Sequence, residues 1–131
     1  MAQPERRRRI RLSAFAGTVR ASQGGTPIAS STRAVLLEEE GYPAVYYLPR
    51  QDLKLSLLYR SATITTCPYK GVASYYSLKT ADGLVPDVCW SYENPYPSVF
   101  RIATRIAFDP RRVELEVTRA GEGPRTSPAM A

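Results

Sequence analysis

Histidine is absent from this chain of 131 residues, and only two of its residues are cysteine. Without histidine, neither a Ser-His-Asp nor a Cys-His catalytic arrangement can form. Two cysteines and no histidine also fall short of the four ligands of a structural zinc site, so we expect no metal. Any proton transfer must therefore depend on lysine, tyrosine, cysteine or carboxylate side chains.

Long apolar runs and phosphate-binding motifs are missing as well. No stretch approaches the roughly 18 apolar residues that a membrane-spanning helix needs. The sequence has no Walker-type phosphate loop and no GxGxxG pattern. We therefore expect no membrane contact and no cofactor. We also expect a cytoplasmic location, where Cys67 and Cys89 are free thiols.

Positive charge is concentrated at the start of the chain. Residues 1–11 contain five arginines and one glutamate, whereas the other 120 residues contain thirteen basic and eleven acidic side chains. A nucleic-acid-binding domain usually spreads its basic residues over the folded surface, so we do not expect nucleic acid as a partner. We interpret residues 1–13 as a basic, disordered arm.

The distribution of turn residues predicts a mainly β protein. Eleven prolines and eight glycines separate about eight short strand-like segments. Residues 14–119 are expected to form a single compact antiparallel β domain, folded as two sheets or a partly open barrel, with at most one or two short helices. Segments 102–108 and 113–117 are expected to pair as a final hairpin. Residues 120–131 lack apolar content, which favours a disordered tail.

Tyrosine is unusually frequent, with nine tyrosines against three phenylalanines. Each buried tyrosine hydroxyl needs a partner, so this excess indicates a polar-walled cavity or a binding face. Tyr75 and Tyr76 point to opposite faces of their strand, whereas Trp90 and Tyr92 point to the same face of theirs. If these strands pair across the Asp82-Gly83 turn, their aromatic side chains form one wall.

Lys70 is the main candidate for chemistry, because it lies in a turn just before this aromatic strand. Burial against aromatic rings would make it a useful base, whereas a charged Lys70 would bind an enolate, carboxylate or phosphate. A solvated turn lysine remains the alternative. Arg50 is a candidate anion-binding residue and Glu93 a candidate carboxylate base, although either also fits an ordinary surface position.

Three motifs carry a family resemblance. They are residues 46–50 (Tyr-Tyr-Leu-Pro-Arg), residues 66–71 (Thr-Cys-Pro-Tyr-Lys-Gly, followed by Ala73, Tyr75 and Tyr76) and residues 90–92 (Trp-Ser-Tyr, followed by Pro95 and Pro97). In their order and spacing the chain resembles the bacterial and fungal family catalogued as domain of unknown function 427. The resemblance implies a compact, tent-like β fold. The family also carries a nucleotidyltransferase label, but the chain shows no strand-borne pair of carboxylates that would hold magnesium for that reaction.

Two functional hypotheses follow. In the first, the protein is a small cofactor-independent enzyme of the lyase, isomerase or cyclase type, acting on a carbonyl-bearing small molecule, with secondary-metabolite biosynthesis as a setting. Its expected catalytic residues are Lys70, Tyr76 and Tyr92, and its expected substrate-binding residues are Tyr47, Arg50, Tyr69, Trp90 and Glu93. In the second, the same aromatic wall is a non-enzymatic module that binds a small molecule or nucleotide. Exposed strand edges are compatible with a homodimer.

Overall fold

This computed structural model describes residues 9–122 and 125–126 of the chain. The described residues form eleven β-strands and three short 3-10 helices, joined by turns and loops. The strands are β1 (Ile10–Ala14), β2 (Gly17–Gln23), β3 (Thr26–Ser31), β4 (Val35–Glu39), β5 (Val45–Tyr47), β6 (Leu58–Cys67), β7 (Gly71–Thr80), β8 (Gly83–Tyr92), β9 (Ala107–Phe108), β10 (Glu114–Arg119) and β11 (Arg125–Thr126). The 3-10 helices are Arg50–Asp52, Leu55–Leu57 and Pro97–Ile102.

The strands form three antiparallel sheets, in the orders β1-β4-β5, β11-β10-β2-β3 and β6-β7-β8-β9. The predicted mainly β, antiparallel fold with very little helix is therefore confirmed. Most neighbours in these sheets are joined by short turns, because glycine and proline recur at the strand ends. Within the described residues the three sheets stay separate and do not close into a barrel.

Two apolar cores hold the sheets together. The larger core packs β2, β3 and β10 against the inner face of β8 and β9, with Val19, Ile28, Val88 and Ile106 fully buried. The smaller core lies under β4, β5, β7 and β8 and contains Tyr47, among other residues. Both cores depend on strand alternation, which sends every second side chain of a strand inward.

The β7–β8 hairpin is the framework of the site described below. Its two strands of ten residues pair antiparallel across the predicted turn, so that Tyr75 lies opposite Trp90 and Ala73 opposite Tyr92. Gly83 follows the turn at φ +113°, a conformation that L side chains rarely adopt. The predicted hairpin and its aromatic wall are confirmed by this register.

The start of the chain departs from the sequence-based prediction. Residues 10–13, which we assigned to a basic arm, belong to β1, which pairs with β4. Ile10 and Leu12 pack against the smaller core, while Arg11 lies 3.5 Å from Glu38 at the surface. The prediction gave weight to the arginines of this segment and overlooked the alternation of Ile10 and Leu12, which is typical of a strand. Residues 1–8 lie outside the described part of the chain.

The predicted final hairpin is wrong. β9 pairs with β8, whereas β10 pairs with β2 in another sheet. The carboxylate of Asp109 accepts hydrogen bonds from the backbone N–H and the guanidinium of Arg111, and this turn leads the chain from one sheet to the other. In the predicted tail, Arg125 and Thr126 form a short strand beside β10, and the other residues after 122 are not described.

Candidate functional site

A cavity of about 1170 Å³ lies between β5, the β7–β8 hairpin and β10. Its walls are largely apolar and aromatic. Four aromatic side chains of the lining belong to the smaller core or pack against it, and we call their part of the cavity the aromatic end; they are Tyr47, Tyr75, Trp90 and Tyr92. A volume of this order suits a ligand of drug-like size or larger.

An ion pair lies in the wall of this aromatic end. The Nζ atom of Lys70 donates a hydrogen bond to Oε1 of Glu39 at 2.8 Å. Lys70 and Glu39 are each only 9% exposed, and both line the cavity. Buried charges of opposite sign are strongly coupled, because little water is present to screen them.

The turn between β6 and β7 directs Lys70 inward. Its backbone N–H donates to the carbonyl of Cys67, and its own carbonyl accepts from the backbone N–H of Tyr96. Gly71 follows at φ +120°, which a residue with a Cβ rarely adopts. The Cys-Pro-Tyr-Lys-Gly sequence therefore holds the lysine backbone at both ends.

The aromatic residues of the wall also contact one another. The rings of Tyr75 and Trp90 lie 6.3 Å apart between centroids, and those of Tyr47 and Tyr92 lie 6.5 Å apart. The indole N–H of Trp90 donates to the hydroxyl of Tyr47 at 3.2 Å. The hydroxyl of Tyr75 lies 3.0 Å from Oγ1 of Thr65, where either atom can donate. These contacts restrict the rings and make the wall rigid.

Burial changes the acidity of the phenols. It raises the pKa of Tyr47 well above the usual range, an effect that the hydrogen bond from Trp90 partly opposes. Burial likewise raises the pKa of Tyr92, and the neighbouring Tyr47 adds to this increase. Both hydroxyls therefore stay protonated at neutral pH, so that Tyr92 can donate a hydrogen bond or a proton but cannot act as a base.

A second polar cluster lies on the opposite face of β7 and β8. We call it the Arg50 cluster, and its members are Arg50, Arg60, Tyr76, Ser91 and Glu93. The Tyr76 hydroxyl donates to Oε2 of Glu93 at 2.9 Å. Nη2 of Arg50 lies 3.3 Å from the same oxygen and 3.1 Å from Oγ of Ser91. Nη1 of Arg60 lies 3.8 Å from the other oxygen of Glu93.

The predicted site residues are therefore divided between two places. The structure brings together Tyr47, Lys70, Trp90 and Tyr92, but Arg50, Tyr76 and Glu93 do not line the cavity. The reason is strand alternation: because Tyr75 faces the cavity with Trp90, its neighbour Tyr76 must face away. Tyr69 is half-buried and does not line the cavity either.

The sequence of residues 11–119 matches the family described as "Domain of unknown function (DUF427)". The chain belongs to this family. The match covers both members of the ion pair and all four aromatic residues of the wall, so the cavity lies wholly within the family's domain. No curated protein matches the chain.

Within the DUF427 domain, sequence reasoning missed Glu39. It is the middle residue of the triplet Glu38–Glu40, which looks like an ordinary solvated charge run. On β4, however, Glu39 follows the buried Leu37 by two residues and so shares its inward face, while Glu38 is exposed. Continuing the alternation from Leu37 would have identified the buried carboxylate.

Two further features of the described residues bear on the nature of the protein. They contain no group of three or more His, Cys, Asp or Glu side chains placed to hold a metal ion. Nor does any helix among residues 9–122 have the length and apolar character to cross a membrane.

Proposed function

We propose that this protein is a small acid–base enzyme that works without a cofactor on a carbonyl-bearing small molecule. The observation that carries the proposal is the Lys70–Glu39 pair, which lies 2.8 Å apart in the wall of an aromatic cavity. A buried, paired acid and base beside a protonated phenol is the set of groups that enolisation requires. Lyase, isomerase and cyclase reactions that begin with an enolate belong to this class.

The chemistry begins with removal of a proton from the carbon next to the substrate carbonyl. Glu39 accepts this proton, the electron pair of the C–H bond forms a C=C bond, and the π pair of the carbonyl moves onto its oxygen to give an enolate. The Lys70 ammonium and the Tyr92 hydroxyl donate hydrogen bonds to that oxygen, where negative charge develops. Reprotonation at another carbon gives an isomer, loss of a β-hydroxyl gives a dehydration product, and attack on a conjugated carbon closes a ring.

The apolar walls contribute by excluding water from the reacting atoms. Charge–charge and hydrogen-bond interactions are stronger where solvent is absent. The rings of Tyr75 and Trp90 present flat surfaces against which a planar substrate can stack. Positioned proton transfer of this kind contributes about 10²–10⁴-fold to a rate.

Deuterium exchange tests the proposal without knowledge of the natural substrate. We expect the wild-type protein to accelerate exchange of the α-protons of a planar ketone, β-tetralone, in deuterium oxide, followed by NMR. Lys70→Met and Glu39→Gln should each lower the exchange rate by about 10²-fold or more. The matched control is Lys79→Met, because Lys79 is an exposed lysine on the same strand pair and does not line the cavity.

Folding is checked by circular dichroism for each variant. Tyr92→Phe keeps the ring and removes only the hydroxyl, so it tests the site even if a charge variant does not fold. Its exchange rate should fall while ketone binding, measured by Trp90 fluorescence, is retained. Wild-type exchange no faster than that of Lys70→Met would disprove the enzyme.

A binding module is the second candidate, and the neighbouring Tyr75 and Trp90 rings in the cavity wall favour it. The sequence-based version of this hypothesis has Lys70 and Arg50 pair with the same anionic group of a ligand. That form is not supported, since Arg50 lies on the other face of the hairpin and Lys70 is paired with Glu39. Quenching of Trp90 by ketones without any α-proton exchange would favour binding alone.

Location and assembly remain predictions. We propose a cytoplasmic location, which fits the two free thiols of Cys67 and Cys89. We also propose a homodimer through β6, a ten-residue strand at the edge of its sheet. Light scattering coupled to size-exclusion chromatography would decide between monomer and dimer.

A further inference from the structure

Another part of the cavity lining comes from the larger core, and we call it the second end. There the strand β10 supplies Leu115 and Val117 to an apolar floor, and Phe108 of β9 lies beside them. Arg119, the last residue of β10, lines the same end. The side chain of Arg119 is exposed at this position, with its guanidinium carbon 5.6 Å from the centroid of the Phe15 ring.

The charges that line the cavity do not balance. The acidic residues are Glu39 and Asp109, and the basic residues are Lys70, Arg111 and Arg119, which leaves an excess of one positive charge. Glu39 pairs with Lys70, and Asp109 pairs with Arg111 at 3.0 Å. Across residues 9–122, Arg119 makes no ion pair, so it is the cavity cation whose charge is left uncompensated.

Packing restrains this uncompensated cation. The guanidinium carbon lies over the Phe15 ring, and that ring packs edge-on against Tyr46 at 5.0 Å. A cation–π contact holds the group near the aromatic face and leaves its N–H donors for an acceptor. The fork of donors matches a carboxylate in geometry and in charge.

We propose that the substrate is an amphipathic keto acid, whose carboxylate pairs with Arg119 while its carbonyl lies against Lys70 and Glu39. This inference rests on the proposed enzyme, because it assigns the substrate class of that same cavity. One uncompensated positive charge fits one carboxylate. The apolar walls between the two ends fit a hydrocarbon or aryl body between the acid and the ketone.

The test compares acids with their neutral esters. The probes are three phenyl keto acids that differ in chain length, benzoyl-propanoate, benzoyl-butanoate and benzoyl-pentanoate, and the methyl ester of each. Binding is followed by fluorescence of Trp90, the single tryptophan of the chain. Exchange of the protons next to the ketone is followed by NMR in deuterium oxide.

At least one acid should bind wild-type protein about threefold to tenfold more tightly than its ester, as expected for a partly exposed ion pair. Arg119→Met should abolish this preference and leave ester binding unchanged, since methionine keeps the packing on Phe15. The matched control is Arg111→Met, which should retain the preference because Arg111 is already paired with Asp109. Added salt should weaken acid binding more than ester binding.

The outcomes separate this inference from the enzyme proposal. Equal binding of every acid and its ester, or an acid preference that survives in Arg119→Met, would overturn the keto-acid assignment. So would a failure of all six probes to bind. If β-tetralone still exchanges its α-protons in those cases, the enzyme proposal stands without this substrate class. An Arg119-dependent acid preference without any exchange supports the carboxylate site but contradicts the enzyme.

Discussion

The ammonium nitrogen of Lys70 lies 2.8 Å from a carboxylate oxygen of Glu39, although the two residues are 31 positions apart in the chain. Glu39 ends β4, and Lys70 occupies the turn between β6 and β7. The contact therefore joins two sheets. It places one positive and one negative charge in the wall of a cavity that is otherwise mostly apolar.

Replacing one member of this ion pair should destabilise the folded protein, whereas replacing both members by apolar side chains should change its stability little. At pH 7 we expect Lys70→Met and Glu39→Met each to lower the free energy of unfolding by about 3 kcal/mol, because each substitution removes the ion pair and leaves the other charge buried. The double variant Lys70→Met/Glu39→Met should lie within about 1 kcal/mol of wild type. Urea unfolding of all four proteins measures this coupling.

The exposed pair Arg20–Glu116 is the control for that cycle. Its charged atoms lie 3.3 Å apart, but the two side chains are 55% and 44% exposed. A double-mutant cycle on Arg20 and Glu116 should give a coupling energy of about 0.2–1 kcal/mol. Similar coupling energies for the two pairs would contradict the buried character of the Lys70–Glu39 contact.

Alkaline pH should destabilise the protein through its buried phenols. Burial raises the pKa of Tyr47 and of Tyr92 in the folded state. A raised folded pKa means that the unfolded state loses its proton first, so stability is intact below about pH 10 and declines as pH rises further. Each phenol contributes up to about 1.4 kcal/mol per pH unit to this decline.

The measurement is absorbance at the phenolate band, recorded with circular dichroism during a pH titration. Two phenols should ionise only as the protein unfolds. Tyr92→Phe should remove one of them from this step, while Tyr59→Phe, at an exposed position, should leave the step unchanged. Ionisation of all nine tyrosines before any loss of structure would contradict the burial of this pair.

The two thiols should differ sharply in reactivity. Cys89 is fully buried, and burial raises its pKa to about 12. Cys67 is half-buried and lines the cavity. With dithiobis-nitrobenzoate, we expect one thiol to react in the native protein and the second only in urea, because access and thiolate formation both limit Cys89.

Cys67→Ser should abolish the native reaction, and Cys89→Ser should leave its rate unchanged. A ligand that enters the cavity should slow labelling of Cys67. Equal rates at both positions in native protein would show that Cys89 is not enclosed as the structure has it.

Local signals explain why part of the site could be predicted. The two-residue turn Ala81-Asp82, with Gly83 directly after it, joins two strands of ten residues, and their pairing follows from the turn itself. Alternation then places Trp90 and Tyr92 on one face, and the register adds Tyr75. The inward position of Lys70 depends on the local turn and on Gly71, which directly follows it.

Other features of the site and the fold could not be predicted from local sequence signals. Proximity in sequence grouped Tyr76 with Lys70, and only the register of β7 against β8 shows that Tyr76 faces Arg50 and Glu93 instead. Similarly, the strand β10 resembled one arm of a local hairpin, yet it pairs with β2, almost a hundred residues earlier. No local pattern specifies a partner at that distance.

By itself, the sequence determined the β character of the protein, its aromatic hairpin and the absence of any histidine-based chemistry, because turns, alternation and composition act over a few residues. The tertiary structure alone decided that Glu39 would meet Lys70 and that Arg119 would line the same cavity. Such contacts depend on how separate sheets pack, and packing depends on the combined burial of many distant apolar side chains.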